Sequence, residues 1–502
     1  MNEKGISEVD IDLLSSREQT LYTDLAGENE LYLFLSENRR RLFYSTDILS
    51  LLNSKHVHKP LKVNNEGISF LLQTGVAPPP LTVYKNLFLL NIGDKVTVSR
   101  KDDRIELNFE HTFPFMNSLR STSNNIKFDK DRILRMIASA ILDKNDRNKD
   151  MLLFQSSGKD SNMIALALAK YGDVEKLSSL TLKSEGQSDE STVAAEVCRK
   201  LGISHFSYDQ PAVFTTRHRD ALKLYLKNVP FPTIDHVSLL YPLIWVDLEI
   251  ADTVLLDGSG NDVYVGHIPA RNEYQGQKYS RIPLPRSMLR SLVSSMEKNY
   301  SLLMTRAEWA GMTGFSYCDV KTFYNDAVDV YGHLAKESIK RKNWDYFDLR
   351  GDIRGCWIDQ QIFNRKLRNF ASVYSFDLVL PWTNRGIAKY LSRLPEQYMF
   401  DRKKLKNKLI FREILKEELG LNCDKIGKKG YEFNWFEVLK GLGELVENEI
   451  TNCELWNSEI KNIVSTINKN LKMPYKRSWI VEYLYYRLFV ISAWYNNSKY
   501  LK

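Results

Sequence analysis

Between residues 133 and 257 short apolar runs alternate with helical segments, and no other feature of the chain constrains its fold as strongly. The runs 151-MLLFQ-155, 178-SSLTLK-183, 204-SHFSYD-209 and 253-TVLLD-257 have the length of strands. Between and before them, residues 133–142, 162–170, 190–202 and 236–250 carry apolar side chains at helical spacing. A helix between two strands returns the chain in the same direction, so the strands are parallel rather than hairpin partners. Crossover helices of this kind cover both faces of a parallel sheet, which explains why 151–155 and 253–257 are apolar runs, while 178–183 and 204–209 are strand-like but more polar. The spacing predicts an α/β fold, a parallel sheet with helices on both faces.

In an open parallel sheet ligands bind outside the carboxyl ends of the strands. The loop 156-SSGKDS-161 lies at such an end and opens a helix. Backbone N–H groups at a helix N-terminus attract an oxyanion. Gly158 can take the positive φ of an anion-binding nest, and the hydroxyls of Ser156 and Ser161 can donate to phosphate oxygens. Asp160 would repel phosphate unless a cation stood between them, and it therefore points to Mg²⁺. Lys159 either adds a phosphate contact or points to solvent. The competing reading is that Ser, Gly and Asp merely cap a helix. A Walker A pattern is absent.

A second loop, 257-DGSGNDVYVG-266, follows the run 253–257. Gly258 and Gly260 allow close backbone approach, and Asp262 brings a second carboxylate to a strand end. Asp160 and Asp262 together could hold one Mg²⁺ against a triphosphate; alone, the second loop reads more readily as a tight turn whose Asp solvates itself.

Elsewhere the pattern changes. Residues 31–115 hold short apolar segments and a triple proline, the mark of a small α+β or mostly β unit. Residues 116–132, rich in Ser, Asn and charge, are a candidate linker. Beyond about residue 285 amphipathic, aromatic-rich helices are expected to the end. The chain of 502 residues has 70 Lys and Arg against 62 Asp and Glu, a net charge of +8. That excess suits anionic small molecules but gives no basic stripe for nucleic acid. The most basic stretch, 401-DRKKLKNKLIFR-412, reads as a solvated helix face. Five cysteines without a CxxC pair suggest neither a disulfide framework nor zinc. No uncharged run reaches the roughly 18 residues of a membrane span, and a cytoplasmic location is the expectation.

The string SSGKDS resembles the SGGxDS pyrophosphatase loop of asparagine-synthetase and β-lactam-synthetase-like enzymes. Five further stretches, in the family's order, are similar: 189–205, 230–244, 256–266, 380–400 and 424–433. The resemblance implies the ATP pyrophosphatase fold, similar to adenine nucleotide α-hydrolases, with a helix-rich C-terminal part. It implies nucleotide binding by Ser156, Ser157, Gly158, Lys159, Asp160, Ser161, Gly258, Ser259 and Gly260, Mg²⁺ on Asp160 and Asp262, and a catalytic role for Lys425. Residues 120–502 would be the synthetase domain. Residues 1–115 would be a truncated, degenerate glutaminase-like remnant, since position 2 is Asn2 and no cysteine precedes Cys198.

The reaction so implied uses ATP and Mg²⁺. A small-molecule or peptide carboxylate attacks the α-phosphorus, pyrophosphate leaves, and an amine or ammonia displaces AMP from the acyl-adenylate. A natural-product, peptide or polysaccharide pathway would be the setting, with a biosynthetic partner protein. Departures bear on the substrate. Ser157 replaces a glycine, Ser259 replaces Glu or Tyr, Val379 replaces Arg and Asn384 replaces Asp. Asp377 keeps an acid, as a general base for the amine or as a helix cap. The alternative these departures raise is a catalytically inactive protein of the same fold that binds nucleotide or peptide.

Overall fold

The computed structural model describes residues 5–13, 18–123, 126–145, 149–183, 189–290, 301–312, 314–427, 434–472 and 479–502. The first hundred or so residues contribute β1 (Ser7–Asp10), β2 (Gln19–Tyr22), β3 (Leu31–Leu35), β4 (Arg41–Ser45), β5 (Leu87–Leu90), β6 (Asp94–Lys101) and β7 (Arg104–His111). They pair as two antiparallel sheets, ordered β1-β4-β3-β5 and β2-β6-β7. The β6–β7 hairpin turns on Asp102 and Asp103, both at positive φ, the twist that two-residue hairpin loops require. A small apolar core containing Leu33, Leu42, Leu90, Val96 and Val98 draws on both sheets.

Five strands then make the parallel sheet: β8 (Met151–Phe154), β9 (Leu177–Lys183), β10 (Ser204–Asp209), β11 (Val254–Leu256) and β12 (Asp377–Val379), in the order β10-β9-β8-β11-β12. Successive side chains alternate between two cores, as the two-residue period of a strand demands. Met151, Leu153, Val254 and Leu256 face one core, with helices Lys130–Leu142, Lys159–Tyr171 and Leu409–Leu419. Leu152, Phe154 and Leu255 face the other, with helices Thr216–Asn228, Tyr241–Leu248 and Trp479–Asn497. The expected sheet covered on both faces is thus present. Its fifth strand, β12, lies beyond residue 285, where the pattern predicts only helices; three residues carry no periodicity of their own.

The stretch expected to be a linker is pinned instead. Arg120 is buried, and its guanidinium donates to the carbonyl oxygens of Tyr264 (2.5 Å), Leu391 and Ser392 (3.3 Å each). The N-terminal unit also shares apolar surface with the rest of the chain: Tyr32, Phe34, Phe43 and Leu52 lie in the same core as Tyr225, Phe370 and Trp494.

Candidate functional site

The order β10-β9-β8-β11-β12 reverses direction between β8 and β11. Connections run one way from β8 and the other way after β11, so a crevice opens between the loops that follow these two strands. Both candidate loops therefore meet at one place. A cavity of about 890 Å³ opens there, lined by Ser156, Gly158, Asp160 and Ser161 from the first loop and by residues 257–262 from the second.

Close approach is built into the second loop. A side chain at Gly258 would stand 2.9 Å from the Ser161 backbone nitrogen and 3.1 Å from Asp160 Cβ. Gly260 has φ +116°, and a side chain there would meet Thr383 Cγ2 at 2.9 Å. In the first loop, Ser156 N–H donates to Ser161 Oγ at 3.2 Å and Gly158 N–H donates to Ser156 Oγ at 3.0 Å. Gly158 is the N-cap of helix Lys159–Tyr171 at φ −71°, so the positive φ expected of it is not used; an extended N-cap is what a helix start requires. Ser157, in place of the usual glycine, is buried and donates its hydroxyl to the buried Glu190. Ser259 turns back to Asp257, donating from its N–H at 2.8 Å and its hydroxyl at 2.5 Å. Burial raises the Asp257 carboxyl above its ordinary range against these bonds.

Asp160 and Asp262 converge on a residue that no motif indicated. Lys408 Nζ lies 2.6 Å from Asp160 Oδ2 and 2.8 Å from Asp262 Oδ1, and its side chain is 3% exposed. Asn261 Nδ2 donates to the other Asp160 oxygen at 2.7 Å. Burial alone would lower the Lys408 ammonium, but the two carboxylates outweigh it and hold the group above the ordinary lysine range. Lys408 follows the short hairpin of β13 (Phe400–Asp401) and β14 (Lys406–Asn407) and precedes helix Leu409–Leu419. Its backbone sits at φ 56°, uncommon for a residue with a side chain and characteristic of sites where position is enforced. The basic stretch 401–412 is accordingly not one solvated helix face. A lysine at the N-terminus of a helix opposes the dipole, and that anomaly was the signal available in the sequence.

The other expected site residues fare differently. Lys159 is buried rather than solvent-facing, and its charge reaches Asp424 and Cys423. Lys425 is exposed on the short helix Cys423–Ile426 and is not part of the cavity lining; Lys428 and Lys429 lie outside the described residues. Asp377 is set apart. It begins β12 in register with Val254, at the amino ends of the strands, and is exposed beside Lys149 at 2.9 Å. That places it at the end of the sheet opposite the cavity, so the geometry does not support a general base there. Val379 packs in the core, and Asn384 caps helix Arg385–Leu391, accepting from the N–H groups of Gly386 and Ile387. These two departures thus have structural uses.

Away from the loops the cavity wall carries Asp235, His236, Asp359, Lys366 and Tyr483. Lys366 pairs with Asp235 at 3.1 Å. His236 stacks edge-on against Tyr483 and Tyr486, and burial lowers its imidazole to about 4, leaving it neutral at pH 7. The hard oxygen donors of Asp160 and Asp262 beside a phosphate-sized loop fit a Mg²⁺ that binds through one or two carboxylates and substrate phosphates.

Comparison with known proteins gives the same direction. Residues 139–449 match the family described as asparagine synthase. Over 274 residues the chain is 21% identical to a protein of Methanocaldococcus jannaschii named "Putative asparagine synthetase (glutamine-hydrolyzing) 2", covering 52% of this chain and 49% of that protein. The chain therefore spans about half the length of the curated relative it matches.

Proposed function

Since this chain belongs to the asparagine synthase family, whose members are ATP-dependent synthetases that form C–N bonds, we propose that it adenylates a carboxylate and joins it to an amine or to ammonia. The observation that carries this reading is the convergence of Asp160 and Asp262, from two loops at the switch point, on the buried Lys408 beside the Ser156–Ser161 hydroxyl pair. The hydroxyls of Ser156 and Ser161 and the amino end of helix Lys159–Tyr171 would receive the leaving pyrophosphate. Asp160 and Asp262 would hold Mg²⁺, which supplies Lewis-acid stabilisation of the phosphoryl charge. Lys408 fixes the two carboxylates and lowers their mutual repulsion. The amine enters from solution or from the substrate itself, in a biosynthetic pathway of the cytoplasm.

Incubation with MgATP and a panel of small and peptide carboxylates tests this. AMP and pyrophosphate should appear with the right carboxylate, and Asp160→Asn should lower the rate at least a hundredfold. Formation of ADP, or an Asp160→Asn variant as fast as the unaltered chain, would sink the reading. The inactive alternative is disfavoured by Ser157, whose hydroxyl is held by Glu190 instead of standing over the phosphate loop.

A further inference from the structure

One continuous helical run from Tyr346 to Tyr374 forms a wall of the cavity: Tyr346–Arg350 is α-helical, Gly351–Asn364 takes the wider π form, and Arg365–Tyr374 is α-helical again. Asp359, Ile362, Phe363, Asn364 and Lys366 line the cavity from its middle. The N-terminal unit grips this run ahead of those residues and on the face opposite them.

Before them, His111 at the end of β7 bridges two carboxylates, with Nε2 2.7 Å from Asp352 and Nδ1 2.7 Å from Asp94 at the start of β6. Asp352 is fully buried and also takes Arg341 Nε at 2.6 Å. Interleaved with them, on the opposite face, Gln361 Nε2 donates at 3.0 Å and Arg365 Nη2 at 2.7 Å to the buried Glu30, just before β3, which also takes Arg368 Nη1 at 2.7 Å. Arg365 Nη1 donates to Tyr32 on β3 at 2.7 Å. Residues 359, 362, 363 and 366 thus face the cavity while 361, 365 and 368 face the N-terminal unit. π-Helical turns in a longer helix are uncommon and concentrate at functional sites. A segment with wider, weaker hydrogen bonding needs external contacts to keep one shape.

We propose that the N-terminal unit is a positioning element for the synthetase site, with Glu30 and His111 as the residues that hold the cavity wall in register. The unit therefore has a use that does not depend on any glutaminase chemistry. Removing one partner of a buried, hydrogen-bonded charge pair leaves the others uncompensated, so the wall should shift or loosen rather than simply lose a contact. The inference rests on the nucleotide reading of the cavity given above.

The test uses the full chain and the variants Glu30→Gln, His111→Gln and the charge-keeping Glu30→Asp, at a temperature where circular dichroism shows each folded. MgATP affinity is measured by calorimetry, and backbone amide exchange over residues 351–374 by mass spectrometry. Glu30→Gln or His111→Gln should raise exchange across 359–366 at least tenfold and weaken MgATP at least fivefold. Glu30→Asp should recover most of that affinity. If Glu30→Gln does not fold, His111→Gln decides. Exchange or affinity remaining at the unaltered level in a folded variant overturns the positioning role. If the unaltered chain fails to bind MgATP, the nucleotide reading is what fails, and the exchange comparison alone then decides whether the wall is held.

Discussion

Lys408 is the residue on which the site turns. Its ammonium neutralises two carboxylates that would otherwise repel each other and the phosphates they face. Lys408→Met should leave Asp160 and Asp262 without their shared partner and destabilise the fold by roughly 3 kcal/mol, as breaking buried pairs does. Urea denaturation measures that loss, and calorimetry should show MgATP binding at least tenfold weaker. Asp160 and Asp262 were legible because carboxylates at strand ends, beside small residues, have a chemical meaning that survives without coordinates. Lys408 was not, since one lysine among several in 401–412 looks like surface charge until its backbone is seen to turn it inward. Asp377 shows the reverse error: an acid of the expected type, carried by a strand whose direction puts it at the wrong end of the sheet.

Among the elements, the second loop is the most constrained by space. Gly258→Ala would put a methyl group 2.9 Å from the Ser161 nitrogen, pushing the two loops apart. MgATP affinity should fall at least tenfold while the melting temperature changes little. At Gly332, in helix Tyr331–Lys340, an added methyl group would meet no atom within 4 Å, and Gly332→Ala should be neutral or stabilise by up to about 1 kcal/mol. Arg120 carries the segment expected to be a loose linker. Arg120→Ala removes donors from three carbonyl groups and should cost about 2 kcal/mol in urea denaturation. β8, β9 and β11 were readable because each is a largely buried run bounded by a helix, and the edge strand β10, mostly exposed, from its place after a helix. β12 was not, because its partner β11 lies more than a hundred residues away and supplies the whole reason for three residues to be extended.

At the scale of the whole molecule, two ionic clamps contribute to how stability depends on pH. Burial opposes ionisation of Glu30, but Arg365 and Arg368 hold its carboxyl down at about 2. A depressed acid stabilises fully above its ordinary value near 4.5, and that contribution fades as pH falls toward 2. Burial opposes charging of His111, but Asp352 and Asp94 raise it to about 10. A raised histidine stabilises fully below about 6.5, and its contribution fades as pH rises toward 10. Melting temperature should therefore peak between about pH 5 and 6.5. Glu30→Gln should flatten the acid side of that profile and His111→Gln the alkaline side; a profile unchanged by either would contradict the assignment. The parallel sheet and its two cores could be anticipated from alternation alone, whereas the union of the N-terminal unit with the last helices could not, because it depends on pairs hundreds of positions apart. Those separations bear on how the chain is made. Glu30 and Arg365 stand 335 residues apart, and at about 5–20 residues added per second a ribosome needs roughly 20–70 s to supply the partner once Glu30 has emerged. For that time the N-terminal sheets must persist with an unpaired acid and an uncovered apolar face, so a part made early is completed late.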